Sequence, residues 1–286
     1  MIKWNAYWRL LRFNRPAGTL LLWFPTAWAL WFANQGFPPI KLLILFFIGT
    51  VLMRAAGCVF NDIADRHVDK HVARTKYRPL TSGEVSLTEA FVLLFLLLCG
   101  ALGVAISLPA DCFYWAIVAL FVTLLYPFCK RFLKAPQMVL GLAFSMGIPI
   151  AYVASKVPFN SQFFILFLIN FVWILAYDTM YAMTDKEDDL KIGVKSTAIY
   201  FADYDRLIIG LLQFFLHGLW LYWAFVYHAH PGFYGFWFAA GLILVYQQKL
   251  IHKRIPGECF KAFTVSAYYG LLMWLGVITT FYFAAK

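Results

Sequence analysis

Hydrophobic residues run along this chain in long blocks separated by short polar stretches. Near 17–34, 41–60, 87–108, 112–129, 136–155, 161–181, 207–228, 232–250 and 263–284 the sequence is predominantly apolar. An α-helix needs about 20 apolar residues to cross the ~30 Å hydrocarbon core of a bilayer, so the pattern predicts about nine transmembrane helices in one bundle. Leu108-Pro109-Ala110-Asp111 reads as the tight turn of a helical hairpin. Ser86-Leu87-Thr88-Glu89 has the spacing of a capping box, in which a serine hydroxyl and a glutamate carboxylate satisfy each other's backbone amides. Ahead of the first block, Lys3, Trp4, Trp8, Arg9 and Arg12 predict an amphipathic interfacial helix over 1–16.

Composition supports a lipid environment. The 286 residues are 63% hydrophobic and only 13% charged, against roughly 25% charged in soluble domains. Nine spans use nearly all of the length, so one all-α transmembrane domain over 1–286 is expected, with no separate soluble domain.

The net charge of +10 suggests nucleic acid at first sight, but the basic residues lie between apolar blocks and share no polar face. They report membrane orientation instead. With the N-terminus in the cytoplasm, Lys41, Lys156 and Lys286 alone fall on the far side, Arg54 falls within a span, and the rest of the 24 Lys and Arg face the cytoplasm. The long loops 61–86 and 182–206 share that side. The five cysteines form no CxxC pair, and their odd number argues for buried free thiols over a disulfide framework.

Eight of the 14 acidic residues lie in two short stretches. The first is Asn61-Asp62-Ile63-Ala64-Asp65-Arg66-His67-Val68-Asp69. The second runs from Asp178 and Tyr181 to Asp185, Asp188 and Asp189. If each span continues as a helix, Asn61, Asp65 and Asp69 share one face, as do Asp178, Asp185 and Asp189. Like charges at that spacing repel, so such a stack makes sense with a cation on it. Mg²⁺ bridges carboxylates to substrate phosphates, and two facing acidic helix ends would form a diphosphate clamp. The two acidic stretches are the candidate metal site.

Arg74 and Arg78 follow the first cluster and Lys130 and Arg131 end the fourth span, where they can reach diphosphate oxygens. Arg54 and Asp178, ionisable groups inside spans, are functional candidates by their placement. His67 and His71 lack a third ligand at suitable spacing for zinc.

These residues resemble the UbiA superfamily of intramembrane aromatic prenyltransferases. The resemblance lies in NDxxDxxxD at 61–69 and DxxYxxxDxxxD at 178–189. It extends to Arg15-Pro16-Ala17-Gly18-Thr19, Arg78-Pro79-Leu80, Tyr126-Pro127-Phe128 and Lys195-Ser196-Thr197, and looks most like the 4-hydroxybenzoate polyprenyltransferase branch of bacterial ubiquinone biosynthesis. That implies a bundle around a lipid-accessible cavity in a bacterial inner membrane, taking a polyprenyl diphosphate, 4-hydroxybenzoate and Mg²⁺, with membrane lipid as a partner and nucleic acid as none. It further implies Mg²⁺ ligands among Asn61, Asp62, Asp65, Asp69, Asp185 and Asp189, and catalytic roles for Asp65, Asp69, Asp178, Tyr181, Asp185 and Asp189. Diphosphate binding would fall to Arg74, Arg78, Lys130 and Lys191, and contact with the aromatic acceptor to Arg131, Arg66, Arg54 and Tyr126. A relative using naphthoate, homogentisate or haem as acceptor would share the aspartates. A cation transporter would instead place acidic residues near both faces or at mid-depth.

Overall fold

A computed structural model describes residues 3–284; Lys286 lies outside them. The described residues form helices and no strands. In chain order the helices are α1 (Trp4–Leu10), α2 (Ala17–Asn34), α3 (Ile40–Asp65), α4 (Leu87–Ser107), α5 (Asp111–Cys129), α6 (Gln137–Ser145) and α7 (Gly147–Ala154). They continue as α8 (Ser161–Met183), α9 (Lys186–Ile192), α10 (Thr197–Tyr200), α11 (Asp205–Val226), α12 (Pro231–Leu250) and α13 (Pro256–Ala284).

Among the described residues, seven segments are long and apolar enough to cross a membrane, which differs from the expected nine. The remaining two expected spans, α2 and α12, are helical over 18 and 20 residues. Their tryptophan, tyrosine, proline and glutamine content lowers their hydropathy. Burial of α2 offsets this, since most of its length packs inside the bundle.

The predicted span over 136–155 is two helices that meet at Met146. Pro149 has no amide to donate to the preceding turn, and the Ser145 hydroxyl donates back to the Gly141 carbonyl at 2.7 Å. The junction also brings Gly147 against α2, where a Cβ would sit 2.2 Å from Thr26 Oγ1. Only glycine permits that approach.

Two apolar clusters hold the bundle. The larger centres on Trp28, which lies 5.2 Å from both Trp173 and Trp220 and donates Nε1–H to the Gly270 carbonyl at 3.3 Å. It joins α2, α8, α11 and α13. The smaller joins α1, α3 and α4 through Leu10, Val59, Ile63 and Leu94. In α4 only Ala90 and Leu94 are buried, because one face is open on the outside and another lines a cavity. The expected capping box at its start is present, with Ser86 and Glu89 exchanging both bonds. The α1 helix exposes Trp4 and Trp8, as an interfacial helix should.

Neither acidic segment is one continuous helix. The α3 helix ends at Asp65, and Asp69 begins a separate 3₁₀ turn over Asp69–His71. Likewise α8 ends at Met183 and α9 starts at Lys186. The clusters are therefore assembled by turns and long-range pairing, with helix periodicity setting only Asn61 with Asp65 and Asp185 with Asp189.

Candidate active site

A cavity of about 1080 Å³ opens beneath both acidic segments. Asn61, Asp62, Asp65, Asp69, Asp178, Tyr181, Asp185 and Asp189 all line it, together with Arg54, Arg74, Arg78, Tyr126, Lys130 and Arg131. Below this polar mouth the walls become apolar, with Phe46, Met53, Leu102 and Leu120 among them. Along α5 the lining runs from Lys130 to Cys112, about 27 Å at 1.5 Å per residue, close to the full hydrocarbon depth.

Cationic side chains hold the carboxylates at the mouth. Lys130 Nζ donates to Asp65 Oδ2 at 3.0 Å and lies 3.4 Å from Asn61 Oδ1. Arg78 Nη1 donates to Asp69 Oδ2 at 2.7 Å and to Asp62 Oδ1 at 3.0 Å. Arg74 Nε donates to both oxygens of Asp185, at 2.9 and 3.2 Å, and its guanidinium lies 4.7 Å from the Tyr181 ring centre. The Thr75 hydroxyl donates to the Asp69 carbonyl at 3.0 Å, fixing the turn that carries Asp69 away from α3.

Burial pushes the Asp69 carboxyl above its ordinary range, with Arg78 opposing the shift. Burial, and next the neighbouring Asp185, push the Asp189 carboxyl up to about 7. Among the described residues Asp189 has no salt-bridge partner.

Asn61, Asp65, Asp69, Asp185 and Asp189 are hard oxygen donors of the kind Mg²⁺ prefers, and all face one cavity. The donor set fits that ion, although the carboxylates are not gathered into a ready cluster of three among the described residues. Asp62 has a different environment. It is 1% exposed, and Arg12 Nη2 donates to both its oxygens at 2.8 Å while Arg78 takes Oδ1.

Some expected residues stand apart. Arg66 and Lys191 do not line the cavity. Arg66 Nη1 donates to the Ile63 carbonyl at 3.0 Å and Arg131 Nη2 to the Ala64 carbonyl at 3.3 Å. Both thus satisfy the orphan carbonyls at the end of α3, where a cation also complements the helix dipole. Lys191 is exposed and pairs with Asp188 at 3.4 Å on its own helix.

Arg54 lies two turns below Asn61 on α3. Its Nε is buried with no hydrogen-bond partner among the described residues, and its fork rests against Gly18, where a Cβ would be 2.3 Å from Nη2. Asp178 is buried on α8 and lines the same cavity, near Gln137, whose side-chain carbonyl accepts the Thr197 amide at 2.9 Å.

Sequence reasoning assigned Arg12 and Arg15 to an interfacial segment, yet both line the cavity mouth. Arg15 lies 5.3 Å from the Phe260 ring centre, and burial, followed by the nearby Arg74 charge, lowers its pKa. An arginine immediately before Pro16-Ala17-Gly18 was the available signal.

Residues 22–278 match the UbiA prenyltransferase family. The 4-hydroxybenzoate octaprenyltransferase of Legionella pneumophila (strain Corby) is 69% identical over 277 residues, covering 97% of this chain and 98% of that protein. The Serratia proteamaculans protein of the same name is 47% identical, covering 98% of this chain and 97% of its own length. Among solved structures, a UbiA homolog from Aeropyrum pernix K1 in its apo form matches with a TM-score of 0.79 at 20% identity, covering 91% of this chain and 96% of its own. A UbiA homolog from Archaeoglobus fulgidus bound to GPP and Mg²⁺ matches with a TM-score of 0.71 at 20% identity, over 96% and 99%. The two solved structures share this chain's fold. With its helical bundle, its paired acidic segments and the match over most of its length, this chain belongs to the UbiA prenyltransferase family.

Proposed function

We propose that this protein transfers a polyprenyl group from a polyprenyl diphosphate to the ring carbon ortho to the hydroxyl of 4-hydroxybenzoate, in ubiquinone biosynthesis. The observation that carries the reading is the cavity itself. Its mouth gathers acidic and basic groups suited to a cation-bound diphosphate, and its depth is apolar enough for an isoprenoid tail. The curated relatives bear the name of this activity over almost the whole chain.

The residues divide the work by depth. Arg74, Arg78 and Lys130 meet the diphosphate oxygens and stabilise the charge that develops on them, the kind of fixed electrostatic stabilisation that lowers a barrier most. Asn61, Asp65, Asp69, Asp185 and Asp189 hold Mg²⁺, which when bound acts as a Lewis acid on the leaving diphosphate. Asp62 serves differently: it orients Arg12 and Arg78.

Deeper in the cavity, the Arg54 fork, which rests against Gly18, receives the benzoate carboxylate. That turns the hydroxyl end of the ring toward the mouth. The allylic carbon–oxygen bond breaks, its electron pair leaving with the diphosphate. The ring carbon beside the phenol oxygen forms the new carbon–carbon bond, and its proton departs to restore aromaticity. Tyr126 and Tyr181 flank the reacting carbon, where their ring faces favour positive charge. The basic loops support placing the site on the cytoplasmic face of a bacterial inner membrane.

The test is prenylation of radiolabelled 4-hydroxybenzoate by membranes containing this protein, with geranyl diphosphate, with and without Mg²⁺. Metal-dependent label in a lipid-extractable product is expected. Transfer to naphthoate or homogentisate, with none to 4-hydroxybenzoate, would reassign the acceptor.

A further inference from the structure

The helix bearing the second acidic motif lies at the surface of the bundle. None of the seven residues of α9 is buried, whereas tertiary packing of an apolar face is what usually stabilises a short helix. Its place depends on polar ties. Asp185, just before its first residue, accepts from Arg74, and Asp188 accepts the Ala73 amide at 2.9 Å. Both ties run to the loop after α3, and Arg74 and Asp185 both face the cavity.

A third tie runs the other way. Lys186 Nζ donates to Asp205 Oδ2 at 3.0 Å and to the Ala202 carbonyl at 2.8 Å. Asp205 is fully buried at the start of α11. Its Oδ1 accepts Arg254 Nε at 3.0 Å, Arg254 Nη2 at 2.7 Å and the Arg206 amide at 2.7 Å. Arg254 also donates to the Asp203 carbonyl at 2.8 Å, and its backbone is left-handed at φ 55°. A non-glycine residue holds that conformation only where its surroundings enforce it, and here the guanidinium bonds do so. Lys186, Asp205 and Arg254 do not line the cavity. A buried carboxylate demands charged partners, so this junction is committed to its own partners and is closed to substrate.

We propose that Asp205 is a positioning residue for the second acidic motif. By holding Lys186, it fixes α9 so that Asp185 and Asp189 face the cavity even while Arg74 is engaged elsewhere. The loop between α12 and α13, through Arg254, becomes part of the same support. This inference rests on the prenyl-transfer reading above.

The discriminating variant is Lys186→Met, which keeps the aliphatic stem and leaves the Asp205–Arg254 pair intact. In the full chain held in lipid nanodiscs, amide hydrogen exchange across 185–192 should accelerate at least about tenfold, as local opening becomes easier. Exchange across 61–72, which is not tied to α9, should stay at the wild-type rate. The half-saturating Mg²⁺ concentration and the KM for geranyl diphosphate should rise severalfold, with the KM for 4-hydroxybenzoate unchanged, and Lys186→Arg should restore all three readouts. Exchange across 185–192 equal to the wild type's, or an increase spread evenly over the chain, would overturn the anchor. A wild-type protein that forms no prenylated product would overturn the transfer reading alone, because exchange still decides the anchor.

Discussion

Arg74 reaches across from the loop after α3 to grip both oxygens of Asp185 at the head of α9. The two acidic segments are thereby one polar unit, though 111 residues separate the pair in sequence. Asp185→Asn and Asp65→Asn should each lower transfer by about 10²–10³-fold, the scale of losing one preorganised electrostatic group. Turnover of radiolabelled acceptor measures this, and wild-type rates in either variant would end the clamp reading.

Acceptor selection should depend on Arg54. A charge-assisted hydrogen bond is worth about 1.5–3 kcal/mol, so Arg54→Met should raise the KM for 4-hydroxybenzoate by about 10- to 100-fold. The KM for the prenyl donor should not move. Gly18→Ala should produce a milder form of the same defect, because its methyl group would occupy the space of the Arg54 fork. Steady-state kinetics with 4-hydroxybenzamide as the uncharged comparison should show both variants losing preference for the carboxylate.

Tail length should be read at the far end of the cavity. Ala105 and Ala116 line it near Cys112, so Ala105→Phe and Ala116→Phe should shorten the space available to the tail. Use of long donors should fall while geranyl diphosphate is used as before. Competition between an octaprenyl and a geranyl donor gives the ratio directly.

The α6–α7 junction sets a stability prediction. Gly147→Ala forces a methyl group onto Thr26 and should cost about 1–3 kcal/mol, typical of overpacking a tight contact. Thermal melting in detergent should show the loss, and adding Thr26→Ala should recover part of it by removing Oγ1 from the clash.

The helices were legible in the sequence because a bilayer imposes length and hydrophobicity directly, and the α4 capping box because its partners are three residues apart. The i, i+4 pairs Asn61–Asp65 and Asp185–Asp189 were legible for the same local reason. Asp69 was placed on the wrong element, since the pull of Arg78 and Thr75 on that turn appears nowhere in its own neighbourhood. Arg12 was read as an interfacial charge because its partner, Asp62, is 50 residues away. Arg66 resembled a substrate ligand, but it turns to the Ile63 carbonyl outside the cavity, whereas Arg131 lines the mouth and also meets the Ala64 carbonyl. What sequence periodicity misses here is long-range ion pairing, which has no period.

Each of Asp65, Asp69 and Asp185 carries its own counterion in the free protein. The site can therefore rest at a membrane mouth without bare charge. A divalent cation arriving alone would have to evict a lysine or arginine and strand it; a diphosphate arriving alone would strand a carboxylate. Arriving together, they exchange partners with both sets, salt for salt. Joint entry of the two ligands would therefore separate less buried charge than entry of either alone.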